Sequence, residues 1–527
     1  MRRILLIVSF IVGCAETRVA VPPVRSSPPS TKPTASSAPV PTPAAPTAEE
    51  QALRIVPPAP PECSGYRRHG VDGVDGAASC AERAQGLAAL DQALAETDAT
   101  ARDAALARLG GCVALQPGLV QALRAEFAPA ACGDLLVADF PDVNRSRLAP
   151  AMYDALTGLG LAAQLTRLVR VAPQLDKPYT KERIDAFVRG VMANWATQQA
   201  NAISALSFKG SRLSGYGKGI VALEAGLADM RFVEVFRRVP IPEEFEQDPE
   251  LTDAYYSALD QGLEPRKARG RDAALVGLRV FSELGAITDA RVDLARRLLS
   301  ELYNGRRINA LDGLLLAPME HQQPWDEAHR LAATLPTFYV DFVLGVVEPS
   351  STSLLWALLH RGMPASVLNR LERSVLSAEN QQVYARALFE RGRTYWRNAD
   401  FAAVVTLTTN REPATDSGRL VAALAHALEK SPNDAAAMIL GSTQLMELGN
   451  LEPLERLAQG KSSVAPLADY DAAVIKELGS AGDSNAAFFR DLAARYARAA
   501  RRLKDPAQKN LARERAAAAV DTANKLH

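Results

Sequence analysis

The 527-residue chain reads as all-α, with its helices paired into hairpins that stack. Three observations lead there. Apolar residues recur at spacings of three and four, with few alternating β-branched runs. Ala, Leu, Arg and Glu, all strong helix formers, dominate most of the chain. Gly, Pro and Asp cut it into pieces of roughly 10 to 20 residues, the length of ordinary globular helices. Lys and Arg number 60, Asp and Glu number 60, and the formal net charge is +0. That balance argues against a nucleic-acid partner, because neutralising phosphates takes a basic surface.

The chain opens on Met1-Arg2-Arg3, an apolar run over residues 4–12, and Gly13-Cys14. The run is far too short to span a bilayer, which takes about 20 residues, and reads as the core of an export signal. Ile11-Val12-Gly13-Cys14 resembles the lipobox of bacterial lipoproteins. The resemblance implies that residues 1–13 are a signal peptide, cut away before Cys14, and that Cys14 is acylated on its sulfur and on its new amine. Each buried methylene is worth about 0.8 kcal/mol, so several acyl chains hold a protein to a membrane almost irreversibly. The next residue is Ala15. In many Gram-negative lipoproteins Asp at that place retains the protein at the inner membrane, so the resemblance implies the outer membrane, with the folded part in the periplasm. An ordinary signal peptide with an incidental Cys14 is the alternative.

Residues 14–62 form a tether rich in Pro, Ala, Ser and Thr, including Pro22-Pro23, Pro28-Pro29 and Pro57-Pro58. Such a segment cannot bury enough apolar surface to offset chain entropy. At about 3.1 Å per residue where extended, it reaches on the order of 100 Å at most. Of the 5 Cys, four remain beyond Cys14: Cys63, Cys80, Cys112 and Cys132. An even number in an oxidising compartment reads as two disulfides. Three pairings are possible, and the local one, Cys63–Cys80 with Cys112–Cys132, is preferred. Zinc sites bring their ligands in close pairs, unlike these four.

In the N-terminal helical segment, 63–145, helices are expected over 77–97 and 99–109, flanking Asp98, and over 115–127; Gly110-Gly111 stops the second. Irregular hairpins follow over 146–380. Helices at 148–159 and 161–171 join at Gly160 and end at Pro173. Thr180 is an N-cap for a helix reaching about residue 206. Over 218–238, Ile220, Leu223, Leu227, Met230, Val233 and Phe236 form one stripe, and Pro240 and Pro242 end it. Tyr255, Tyr256 and Leu259 mark the next helix. Pro265 opens another, which runs to Leu284-Gly285, and a partner covers 289–303.

The segment 381–480 is the most regular. Helix–glycine–helix junctions recur at Leu284-Gly285, Arg361-Gly362 and Leu448-Gly449. Gly392-Arg393-Thr394-Tyr395-Trp396-Arg397-Asn398-Ala399-Asp400-Phe401 resembles a tetratricopeptide repeat: a small residue, paired aromatics, then small-Asp-aromatic at the turn. A second unit starts near Ala436, with Gly441-Ser442, Leu445, Gly449-Asn450-Leu451 and Leu454. Asp400 and Asn450 lie 50 residues apart, where the family repeats at about 34. The resemblance implies a diverged α–α superhelix, or solenoid, in which small residues let paired helices cross closely and hairpins stack because none buries its apolar face alone. A helical domain without superhelical order is the rival. Over 481–527, Gly482-Asp483-Ser484 precedes a helix expected over 485–504, and Pro506 opens a terminal one. Arg490, Arg495, Arg498, Arg501, Arg502 and Lys504 read as the polar face of a capping pair.

Chemistry is sparse. The stretch 209–219 is basic and glycine-rich and opens a helix, an arrangement that favours anions. Gly219 stands where a P-loop needs Ser or Thr. It reads as an inter-hairpin loop, or as a glycan or anion loop built on Arg212, Tyr216 and Lys218. Arg266, Lys267, Arg269 and Arg271 sit near the expected start of a helix, where cations are disfavoured. The acidic stretch 243–250 would offset them, or an anionic partner would. Glu320, His321, Asp326 and His329 lack the His-to-His spacing of a helical zinc site. No cofactor or metal is expected, and no catalytic motif is found.

These readings lead to a non-enzymatic lipoprotein, held to the membrane through Cys14, that presents a helical-repeat surface to other envelope proteins or to the cell wall. Arg391, Arg393, Tyr395 and Trp396 are candidate partner contacts; the two aromatics are equally explained as repeat packing. An enzyme or binding protein acting on cell-wall glycan or peptide is the alternative.

Overall fold

A computed structural model describes residues 54–66, 80–287, 289–303, 308–319, 330–331, 334–344, 352–360, 364–371, 376–432, 434–440, 447–480 and 485–526. The leader, Cys14 and most of the tether lie outside them. So do Glu320, His321, Asp326 and His329, the Arg361-Gly362 junction, Gly441-Ser442 with Leu445, and Gly482-Asp483-Ser484. Among the described residues every regular element is helical. Their buried apolar side chains form one continuous core from Cys63 to Ala519.

The N-terminal part comprises α1 (Arg83–Ala95), α2 (Ala99–Arg108), α3 (Leu119–Phe127), α4 (Gly133–Val137) and α5 (Phe140–Val143). Asp98 caps α2 by accepting the Ala101 N–H at 2.7 Å. The cysteines do not pair locally. Cys63 bonds Cys132, and Cys80 bonds Cys112, with Cα–Cα separations of 5.3 and 5.1 Å. This corrects the preferred pairing, and the reason is packing. Closure entropy rises only slowly with loop length, so the folding of α1 to α4 on one another decides which thiols meet. A buried ion pair helps fix that fold: the Arg124 Nε of α3 donates to Asp103 of α2 at 2.7 Å.

Next come α6 (Pro150–Arg167), α7 (Lys181–Phe187), α8 (Ala193–Ser211), α9 (Gly215–Arg237), α10 (Glu243–Glu246), α11 (Pro249–Leu284) and α12 (Ala290–Leu302). Thr180 caps α7 as expected, accepting the Arg183 N–H, and a π-helical stretch, Val188–Met192, links α7 to α8. Asp289 caps α12, and Gly285 ends α11 with φ 64°. Two expected breaks are absent. Helix α6 runs through Gly160, whose missing Cβ makes room for Val137 of α4. Helix α11 is continuous for 36 residues with Pro265 inside it. Proline there deprives only the carbonyl of Gln261, an exposed residue, so water can serve it.

Helix α9 is the axis of this half, packed between α6 and α11. Glycines set the spacing. A Cβ on Gly217 would stand 2.0 Å from the Asp154 carbonyl oxygen of α6, and one on Gly226 would stand 2.8 Å from the Gly270 oxygen and Ala274 nitrogen of α11. The sequence stripe on α9 is thus only part of its buried surface, because the helix is covered on both sides.

Helix α13 (Thr337–Leu344) returns to the N-terminal part: Arg83 of α1 donates to the Val343 carbonyl at 2.8 Å, and Phe338 stacks on Tyr216 of α9 at 4.5 Å. After α14 (Thr352–His360) and α15 (Pro364–Leu371), the chain becomes regular. Its helices are α16 (Ala378–Tyr395), α17 (Asn398–Asn410), α18 (Asp416–Leu428), α19 (Ala435–Leu440), α20 (Glu452–Gln459), α21 (Ala465–Leu478), α22 (Ala486–Arg502) and α23 (Pro506–Lys525). Helix α16 packs on both α17 and α18, then α18 on α20, α20 on α21, α21 on α22, and α22 on α23. Side-chain caps start four of them: Ser377, Thr415, Asn485 and Asp505 each accept an N–H of the first turn. Gly392 lies under the Phe401 ring, where a Cβ would come within 2.9 Å.

Candidate functional site

The glycine-rich loop dissolves on folding. Residues 209–211 end α8, residues 215–219 begin α9, and only 212–214 connect them. Gly217 and Gly219 serve helix packing, not phosphate binding. Arg212 lies exposed over the Phe208 ring, 4.5 Å from its centroid, Lys218 is half-buried, and Tyr216 is buried. The three do not form a common anion site. The Tyr216 hydroxyl donates to Glu126 of α3 at 2.6 Å. Tyr339 donates to the same carboxylate at 3.1 Å, and Arg291 of α12 pairs with it at 2.9 Å. Burial, then the Glu126 charge, push the Tyr216 and Tyr339 hydroxyls well above the ordinary tyrosine range. This network ties α3, α9, α12 and α13 together.

The basic run also takes structural duty. It lies mid-helix in α11, not at a helix start, so the macrodipole argument does not apply. Its partners are not the acidic 243–250 stretch. Arg266 donates to Asp229 of α9 at 2.9 Å, and Arg269 grips the same carboxylate at 2.7 and 2.6 Å. Burial raises the Asp229 carboxyl to about 6, against the pull of Arg269. Lys267 pairs with Glu264 at 3.7 Å, and Arg271 with Asp272 at 2.7 Å. On the terminal pair, Arg498 holds the buried Asp469 through two 2.7 Å hydrogen bonds, so that face is partly anchored.

The residues of the 391–401 motif are likewise absorbed. Arg391 forms two 2.8 Å hydrogen bonds to Asp400, and Arg393 one of 2.6 Å to Glu390. Burial would raise the Glu390 carboxyl, yet Arg393 and Arg386 hold it below its ordinary value. Trp396 is fully buried, and its Nε1 donates to the Ile308 carbonyl at 2.8 Å. Tyr395 is buried, its hydroxyl bonded to the Ala286 carbonyl. Trp396 thus follows the packing reading of the two offered for it, while Tyr395 is packed through its hydroxyl and also borders the cleft beside α11.

What the structure adds is a cleft of about 250 Å³ where α11 meets the α16–α17 turn and α19. Leu275, Leu278, Tyr395, Ala435 and Ala436 make its apolar lining; Arg279, Ser282, Arg397 and Asp434 supply the polar groups. Arg397 donates to the Ser282 hydroxyl at 3.1 Å. Arg279 is 65% exposed at the side chain and 3.8 Å from Asp434. Two guanidinium groups beside an apolar floor suit a segment that carries apolar side chains and a carboxylate. Sequence reading missed Arg279, Ser282, Arg397 and Asp434. Arg279 and Ser282 share a helix face, and Arg397 adjoins Trp396, but only the docking of α11 on the α16–α17 turn and α19 unites them. Among the described residues no group of three or more His, Cys, Asp or Glu could hold a metal, and no helix is long and apolar enough to cross a membrane. No family model, curated protein or solved structure matches the chain.

Proposed function

We propose that this chain is a lipid-anchored envelope protein, tethered at the outer membrane through Cys14, whose diverged tetratricopeptide-like array binds another envelope protein and has no catalytic step of its own. The observation that carries the reading is the packing of α16 on both α17 and α18, continued from helix to helix up to α23. Helices packed each on the next build an extended surface, and such surfaces serve binding. The terminal α23 fits a polar cap, since its buried residues are Ala512, Ala519 and Ala523. The cleft at Arg279 and Arg397 opens beside the first hairpin of the array, where a bound segment would contact α11 and the array together.

Two experiments test this. The mature chain from the native host should begin at Cys14 and carry acyl mass by intact-protein spectrometry, and Cys14→Ser should release it from the membrane fraction. Oxidised residues 54–527, immobilised and incubated with detergent-solubilised envelope, should retain one reproducible protein. Arg279→Glu should weaken that capture by about tenfold or more, as loss of a central charged contact does. Retention of cell-wall fragments without a protein would contradict the adaptor reading.

A further inference from the structure

Residues 308–319 lie across the array like a bound peptide. A 3-10 turn, Ala310–Gly313, leads into 314–319, which has no regular secondary structure. Yet Ile308, Leu311, Leu314 and Ala317 are buried. These positions recur every third residue, the period of a 3-10 or polyproline-type conformation that turns one face to a surface. The main chain is held by side chains from distant helices. Trp396, the residue after α16, donates to the Ile308 carbonyl at 2.8 Å, and Arg386 of α16 to the Ala317 carbonyl at 3.2 Å. Asp471 of α21 accepts the Leu315 N–H at 2.7 Å. Gly313 faces Arg515 of α23, where a Cβ would come within 2.9 Å of the guanidinium.

The floor beneath is unlike an ordinary core. Arg386 is buried against Glu390 at 2.9 Å, and Glu390 also takes Arg393. Asp471 is fully buried, and its Oδ2 has no hydrogen-bond partner. Elsewhere in the array polar side chains join helix to helix, as Arg391 joins Asp400 and Arg498 joins Asp469, whereas here they reach main-chain atoms. Polar side chains that reach main-chain atoms of an extended segment are a means by which a surface reads a peptide backbone, while pockets at fixed intervals read side chains.

We propose that the face built by α16, α21 and α23 is a binding site for an extended, leucine-rich peptide with apolar residues at i, i+3 and i+6 and a small residue at i+9. Residues 308–319 occupy it in cis, and a partner segment of the same pattern displaces them. The proposal rests on the adaptor reading and supplies the kind of partner.

The test uses a fluorescent peptide of residues 308–319, a register-shifted control peptide, the unmodified full chain, and a chain with Leu311→Ser and Leu314→Ser. Freeing an occupied site restores the affinity that occupancy had masked. The altered chain should therefore bind the peptide at least about tenfold tighter than the unmodified one, and should ignore the control. A folded variant that does not bind, equal binding by both chains, or equal binding of both peptides would overturn it. If the variant fails to fold, hydrogen exchange on the unmodified chain decides. A displaceable segment lets the Leu315 amide exchange about 100-fold faster than amides inside α21, whereas equal rates mark a fixed part of the core and overturn the proposal. Capture of an envelope protein without peptide binding would overturn this site alone and leave the adaptor reading standing.

Discussion

Asp471 shows how much one side chain depends on the fold around it. Burial pushes its carboxyl well above the ordinary carboxylate range, and the Leu315 N–H, Arg393 and Arg515 pull it back only in part. The folded state therefore favours the protonated acid. Its contribution to stability is complete below the unfolded value of about 3.9 and is lost as pH rises through the folded value. Asp471→Asn keeps an acceptor for Leu315 and carries no charge. It should be more stable than the native chain by about 1–3 kcal/mol at pH 7.5, an advantage that shrinks as pH falls toward 4. Calorimetric melting across that range checks it; a lower melting temperature for the variant at pH 7.5 would show that Arg393 and Arg515 hold a stable carboxylate. Trp396 makes the opposite case. It adopts a left-handed conformation, φ 58°, at the end of α16 and is fully buried. Trp396→Ala should cost about 3–5 kcal/mol by denaturant titration, the toll of a large core cavity. A loss below 1 kcal/mol would return it to the surface. At this scale the sequence was readable for the cap at Thr180, which acts locally. It was unreadable for charge, because the partner of Arg269 is Asp229, 40 positions away.

Among the helices, the sequence pattern located bodies better than breaks. Gly160 and Pro265 both look like boundaries, and both lie inside helices because neighbouring packing and exposure make the local cost bearable. The glycines of α9 look like a loop and are contact points. That claim separates two glycines chemically alike. Gly226→Ala would drive a Cβ within 2.8 Å of backbone atoms of α11, whereas around Gly190 nothing lies within 4 Å. The first should destabilise by about 1–3 kcal/mol, and the second should be neutral or slightly stabilising, since alanine favours the helix by up to about 1 kcal/mol. Equal effects in urea unfolding would mean that α9 and α11 are not in close backbone contact.

The whole molecule is where the sequence said least. An all-α chain was legible from periodicity, and the α16–α17 hairpin from one motif. The return of α13 to α1 and α9, and the passage of residues 308–319 across the array, depend on contacts such as Tyr339 with Glu126, 213 positions apart, and Leu315 with Asp471, 156 apart. No local pattern encodes them. The cysteine pairing failed for the same reason: the bond from Cys63 to Cys132 reflects how the first helices close on each other, not how near the thiols stand in the chain.

The central claim is that the cleft between α11 and the array meets an envelope protein. Photo-crosslinking in the native host tests it most directly, with a photoreactive residue at Ala436 in the cleft and, as control, at Gly190, whose surroundings are open. The account predicts a crosslink from position 436 to one envelope protein, abolished by Arg279→Glu and absent from position 190. No crosslink from 436, or the same products from both positions, would contradict it.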